Sequence, residues 1–169
     1  MKTKTLTTIS LGVALYVVLS YIIPIRVVGN YFLCLGYVII VVYPYLYGKN
    51  VGAAVGFFGT LLYCLLVSSY TGLVGWTLGN TLMGYVLGTV FFKTKNMTSK
   101  TKYVIDVAAI ILSCFAGIVL IKSLTETVMF SVPLGLRFTA NFVPFLMDVI
   151  VMLVAYPVAI MFDKKYNKA

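Results

Sequence analysis

The side chains able to do chemistry are few, and they fall at regular offsets. Trp76 and Asn80 are four residues apart, as are Lys122 and Glu126, so on a helix each pair shares a face. Arg137, Asn141 and Asp148 follow at successive offsets of four and seven, which sets them along one helical stripe. Arg26, Asn30 and Tyr31 occupy a polar break near the start of the chain. This is binding chemistry. An indole offers a flat face to a ring, an asparagine amide donates and accepts at once, and a cation can clamp a carboxylate. Each residue also has a plainer use. Arg26, Lys122 and Arg137 can snorkel to lipid headgroups, Lys122 and Glu126 can form an ordinary helical ion pair, and Trp76 can anchor at a membrane interface. Asp148 lies deeper in an apolar stretch, where a carboxylate needs a partner or a proton.

Catalysis has little to work with. There is no histidine, which removes the commonest metal ligand and general base. The acids Asp106, Glu126, Asp148 and Asp163 are dispersed, so no carboxylate pair is set up for acid–base work. No zinc-protease helix, nucleophile elbow or phosphate-binding loop occurs. The sequence therefore predicts neither an enzyme nor a self-contained ATP-driven pump, with no cofactor and no metal in this chain. Cys34, Cys64 and Cys114 each sit inside an apolar run and read as small buried hydrophobes.

The elements that must position these groups follow from composition. Of 169 residues 62% are hydrophobic and 10% charged, well outside the range of a soluble domain. The predicted fold is an all-α integral membrane protein, a single six-transmembrane-helix bundle over 1–169. Its spans fall at about 5–25, 31–47, 51–69, 73–93, 103–123 and 138–162. The first stretch is too long for a signal-peptide core and reads as a retained span. Gly48-Lys49-Asn50 separates the second span from the third. Thirteen cations face four acids, but the cations cluster between apolar runs, which argues against nucleic acid. With both termini cytoplasmic, the inner segments hold Lys2, Lys4, Lys49, Lys93, Lys95, Lys100, Lys102, Lys164, Lys165 and Lys168, and the outer ones only Arg26, Lys122 and Arg137. Six spans satisfy that positive-inside bias; an odd number would break the alternation. On this layout the polar groups, Asp148 apart, gather at the outer ends of the spans, as a cavity opening outward requires.

Gly52 and Gly56, Gly75 and Gly79, and Gly84 and Gly88 are spaced by four, which suits close helix packing in lipid. Ser10 and Ala14 form another such pair on the first span. The sequon Asn96-Met97-Thr98 falls in an inner loop and reads as chance.

The run from Leu35 to Leu66, LGYVIIVVYPYLYGKNVGAAVGFFGTLLYCLL, and the following GLVGWTLGNTLMGYVLGTVFF resemble the substrate-binding S components of energy-coupling factor (ECF) vitamin transporters. The likeness is closest to the hydroxymethylpyrimidine, pyridoxine and pantothenate group. It rests on the Leu-Gly before the second span, the Tyr-Gly-Lys-Asn-Val-Gly turn and the glycine-rich third and fourth spans. The resemblance implies a multi-pass protein of the bacterial cell membrane that captures one vitamin near the outer side. It also implies a membrane coupling subunit (EcfT-like) and two cytoplasmic ATPases (EcfA-like), which use the ATP. The first loop would act as a lid, and the fourth to sixth helices would supply most contacts. By region, that assigns Arg26, Asn30, Tyr31, Trp76, Asn80, Lys122, Glu126, Arg137 and Asn141 to the substrate. Family members dock through small residues of the first span; here Ser10 stands in for an alanine, with Ala14 after it.

Trp76, the tyrosines and the amides suit a flat, hydroxylated heteroaromatic such as pyridoxine or hydroxymethylpyrimidine, whereas the cations suit pantothenate. Two rival functions remain: a gradient-driven permease or channel, and a ligand-free structural membrane protein. No internal repeat of the kind many permeases carry is evident.

Overall fold

A computed structural model describes residues 3–22, 25–28, 31–67 and 72–166. Helix α1 (Thr3–Ile22) buries Gly12, Tyr16 and Ser20, one face at offsets of four. Its other faces point outward and are apolar, with Leu6, Leu11, Val18 and Tyr21 all exposed. An outer surface of that kind is a liability in water and the expected finish in a bilayer.

The expected second span, 31–47, is divided. Residues Ile25–Val28 and Tyr31–Leu33 form a two-stranded antiparallel hairpin, β1 and β2, pairing Ile25 with Leu33 and Arg26 with Phe32. Its β-branched and aromatic residues favour extended backbone. Strand β2 packs on the last helix. Helix α2 (Tyr37–Tyr47) is only 11 residues long, about 16 Å, against a hydrocarbon core of about 30 Å. Gly36 precedes it for a steric reason: a Cβ there would collide with Ser20 and come within 2.9 Å of the Tyr16 ring.

The turn expected at Gly48-Lys49-Asn50 narrows to one residue. Gly48, at φ 84°, ends α2 and caps α3 (Lys49–Leu66). Helix α4 (Leu73–Thr94) is built between two close neighbours. Gly84 and the backbone of Asn80 abut Gly52 and Gly56 of α3, while Gly79 abuts Gly117 and Gly75 abuts Lys122. The glycine pairs are thus packing surfaces within the bundle, where any Cβ would strike facing backbone.

The expected fifth span, 103–123, is part of a longer helix. Helices α5 (Ser99–Cys114) and α6 (Lys122–Phe130) are joined by a π-helical segment, Phe115–Ile121, and run on without a break. The polar stretch after Ser123 suggests a loop, but it holds no glycine or proline before Pro133, so nothing stops the helix. Ser131, in the left-handed region at φ 52°, ends it. Helix α7 (Leu134–Tyr166) then starts four residues earlier than the expected 138. Among the described residues, four helices are long and apolar enough to cross a membrane by length and composition. Although α4 has 22 residues, its glycines, threonines and Asn80 dilute its hydropathy.

Candidate functional site

At the end of the bundle where α4 begins, four helices meet in a buried polar network centred on Asn80. Asn80 is fully buried. Its Oδ1 accepts from the Tyr37 hydroxyl at 3.1 Å, and its Nδ2 donates to the Thr60 hydroxyl at 2.6 Å and to Tyr16 Oη at 3.0 Å. One turn nearer the helix start, Trp76 Nε1 donates to Tyr37 Oη at 2.7 Å. The indole is therefore held by α2 on its polar edge and by Tyr63 of α3 at a T-shaped 5.7 Å. Lys122 Nζ lies 5.5 Å from its ring centroid, in cation–π range. A planar platform fixed on its edge, with a cation beside it, suits stacking of a flat ligand better than a freely rotating anchor does.

The second half of the site comes from α6 and α7. The π segment closes on an i→i+5 bond from Lys122 N–H to Gly117 C=O, which widens the helix by part of a turn. It delivers Lys122, Ser123 and Glu126 beside α4 and α7. Asn141 Nδ2 donates to the Ser123 hydroxyl at 3.0 Å and to Glu126 Oε2 at 3.2 Å. Arg137 approaches the same Oε2 only to 3.7 Å. Among the described residues its buried Nε has no hydrogen-bond partner, and neither do the buried hydroxyls of Thr77 and Thr127. Deeper on α7, Asp148 is buried, with Tyr37 and Lys122 as its polar and charged neighbours.

Trp76, Asn80, Lys122, Glu126, Arg137 and Asn141 are thus brought to one end of the bundle. The offset of four between Lys122 and Glu126 holds on α6, and Arg137, Asn141 and Asp148 lie on one side of α7. Asn80 differs from expectation in its state: both of its amide protons go to Thr60 and Tyr16 and its oxygen accepts from Tyr37, so it braces the helix junction rather than standing free. In the first loop, Arg26 and Tyr31 stand on β1 and β2, with backbone alone described; Asn30 lies outside the described residues. Ser10 and Ala14 are both on the outward face of α1.

Tyr16, Tyr37, Thr60 and Ser123 join these groups through hydrogen bonds and are not among the residues the sequence points to. Thr60 had a signal, since it continues the Gly52–Gly56 face by four more residues. Tyr16 likewise follows Gly12 by four on the buried face of α1. Nothing in the spacing distinguishes Tyr37 from its neighbouring tyrosines.

At the opposite end, Asp106 of α5 forms a second buried centre. Its Oδ1 accepts from Thr94 at 2.7 Å; its Oδ2 accepts from Tyr156 at 2.6 Å and from Lys102 at 2.9 Å. Lys102 also lies 4.9 Å from the Tyr45 ring centroid. This centre joins α2, α4, α5 and α7 and has its donors and acceptors matched.

A family model described as "ECF-type riboflavin transporter, S component" matches residues 1–168. No curated protein and no solved structure matches the chain closely enough to add to that. S components are membrane transport subunits and not enzymes, and they work with a coupling membrane subunit and ATPase subunits. With the match running over essentially its whole length, this multi-pass helical chain belongs to the S-component family of ECF-type transporters.

Proposed function

We propose that the chain is the high-affinity binding subunit for a small water-soluble vitamin with a flat heteroaromatic ring and hydroxyl groups. The ring would stack on Trp76 while Glu126, Arg137, Asn141 and Lys122 take the polar substituents. The observation that carries this is the mismatch at one end of the bundle. A carboxylate there is approached by its cation only to 3.7 Å, and the buried Nε of that same cation has no hydrogen-bond partner among the described residues. Buried polar atoms are normally paired, and a bound ligand supplies the missing partners.

Pyridoxine and hydroxymethylpyrimidine fit this description and are the first candidates, with pantothenate next, on the strength of the cations. Riboflavin, the vitamin in the family's description, has the same ring-plus-hydroxyl chemistry. The charge distribution supports six crossings with both termini in the cytoplasm, which turns the Trp76 end outward in a bacterial cell membrane. The hairpin β1–β2 would cover the site. Docking through the Ser10–Ala14 face on a coupling subunit, driven by two ATPases, would release the vitamin inward.

Purified protein, denatured and examined by mass spectrometry, should yield one such vitamin in near-stoichiometric amount. Titration of the emptied protein with riboflavin, pyridoxine, hydroxymethylpyrimidine and pantothenate then chooses among them. A protein that carries and binds none of the four would sink this reading in favour of a permease or a structural protein.

A further inference from the structure

The end of the bundle opposite Trp76 carries a feature that substrate capture does not use. Between the α2–α3 turn and the last turns of α4 lies a crevice of about 620 Å³. Lys49, Lys93 and Lys95 line it together with Asn50, and Tyr47 and Phe92 form part of its apolar wall. All three lysines are exposed, and Phe92 is 79% exposed.

The charge is one-sided. Among the described residues no carboxylate lines the crevice, and none of the three lysines has a carboxylate within salt-bridge distance. Among the described residues Lys49 faces the Tyr85 ring, at 5.3 Å. By contrast Lys102, at the same end, is spent on Asp106 at 2.9 Å. Three cations above an apolar, aromatic wall form an amphipathic slot, matched to an amphiphile whose head is anionic and whose tail lies along α4.

We propose that this crevice is a binding site for the anionic headgroup of a membrane glycerophospholipid, drawn from the leaflet on the Lys49 side. The lysines and the Asn50 amide take the phosphate oxygens, and Phe92 and Tyr47 pack on the upper acyl chain. A polybasic cluster at the membrane surface attracts anionic lipid by an electrostatic increment per cation; a crevice adds a fixed position. The orientation proposed above makes this the cytoplasmic leaflet.

The test is native mass spectrometry of the full chain from micelles doped equally with phosphatidylglycerol and phosphatidylcholine. Wild type should retain phosphatidylglycerol selectively. The triple variant Lys49→Gln, Lys93→Gln, Lys95→Gln should lose that selectivity by more than about tenfold, with the thermal unfolding midpoint unchanged. Replacing the same three lysines by arginine should preserve it. A second triple variant at this end, Lys4→Gln, Lys100→Gln, Lys164→Gln, should also preserve it. Equal loss in both glutamine triples would overturn the site, leaving diffuse attraction of a basic surface. Displacement of the lipid by millimolar inorganic phosphate would assign the lysines to a free anion instead. Retention of the lipid by the crevice variant, together with failure to assemble with the coupling subunit and ATPases, would assign them to a protein partner. Vitamin titration of each variant reads the outer site separately, so loss of one reading is distinguishable from loss of the other.

Discussion

Two buried acids at opposite ends of the bundle, Asp106 and Glu126, are built to different standards. Asp106 is fully buried and receives three side-chain donors between 2.6 and 2.9 Å. Glu126 is almost as buried, but Asn141 reaches it at 3.2 Å and Arg137 only at 3.7 Å. The Arg137 Nε is itself buried with no hydrogen-bond partner among the described residues. A centre with every partner supplied from within is a clamp, since any change leaves a polar group stranded in low dielectric. A centre with capacity left over can accept something else. The contrast separates what holds the bundle together from what it holds.

The sharpest way to break the comparison is at the clamp. Asp106→Ala strands Lys102, Thr94 and Tyr156 together and should cost about 3–5 kcal/mol. The expected result is a large fall in the thermal unfolding midpoint in detergent, with vitamin affinity of the remaining folded protein unchanged. An affinity loss as large as the stability loss would mean that the two ends are not independent.

Trp76→Ala addresses the other end. Loss of the stacking platform and its cation–π neighbour should weaken vitamin binding by roughly a hundredfold, about 2.7 kcal/mol, measured by calorimetric titration. Trp76→Phe keeps a ring but no N–H for Tyr37, and should recover a substantial part of the affinity. If neither variant changes affinity, the platform is an interfacial anchor.

Gly79→Ala sharpens the comparison from the side of packing. The added Cβ meets the backbone of Gly117 inside the π segment. Overpacking of that kind typically costs about 1–3 kcal/mol, and here it also shifts Lys122 and Glu126, so stability and affinity should fall together. Gly84→Ala meets the backbone of Gly52 instead and should lower stability with less effect on affinity.

Glu126→Gln is the counterpart of the Asp106 substitution and the smallest of the four. Because its ion pair is long and glutamine keeps an oxygen for Asn141, the unfolding midpoint should move by an amount equivalent to about 1 kcal/mol, while vitamin affinity drops about tenfold, roughly 1.4 kcal/mol. A stability loss comparable to that of Asp106→Ala would make Glu126 a second clamp and remove the distinction.

Local offsets carried part of the site into the sequence. Trp76 with Asn80, Lys122 with Glu126, and Arg137 with Asn141 and Asp148 are spaced for one helical face, and each set does lie on one. The glycine pairs were legible as packing faces for the same reason, because periodicity within a helix needs no knowledge of its neighbours. What escaped was set between helices. Asn80 has the same i, i+4 signature as a ligand-binding amide, and only the positions of Tyr37, Thr60 and Tyr16, up to 64 residues away, show that its hydrogen bonds are spent. Asp106 looked like one of four scattered acids until Thr94 and Tyr156 closed on it.

Element ends were misjudged where polarity stood in for geometry. The stretch after Ser123 is polar and still helical, because polar residues do not end a helix; the left-handed Ser131 and Pro133 do. The strands Ile25–Val28 and Tyr31–Leu33 fall in an expected loop and an expected span, since short β-branched runs look alike in either.

By itself the sequence determined that the chain is a multi-pass helical membrane protein without catalytic equipment and the family it belongs to. Composition, charge placement and glycine turns are properties of the chain, and they survive without coordinates. Only the tertiary structure decided which polar groups are satisfied and which are not. That depends on distances of a few tenths of an ångström between side chains from different helices, and no spacing along one helix encodes them.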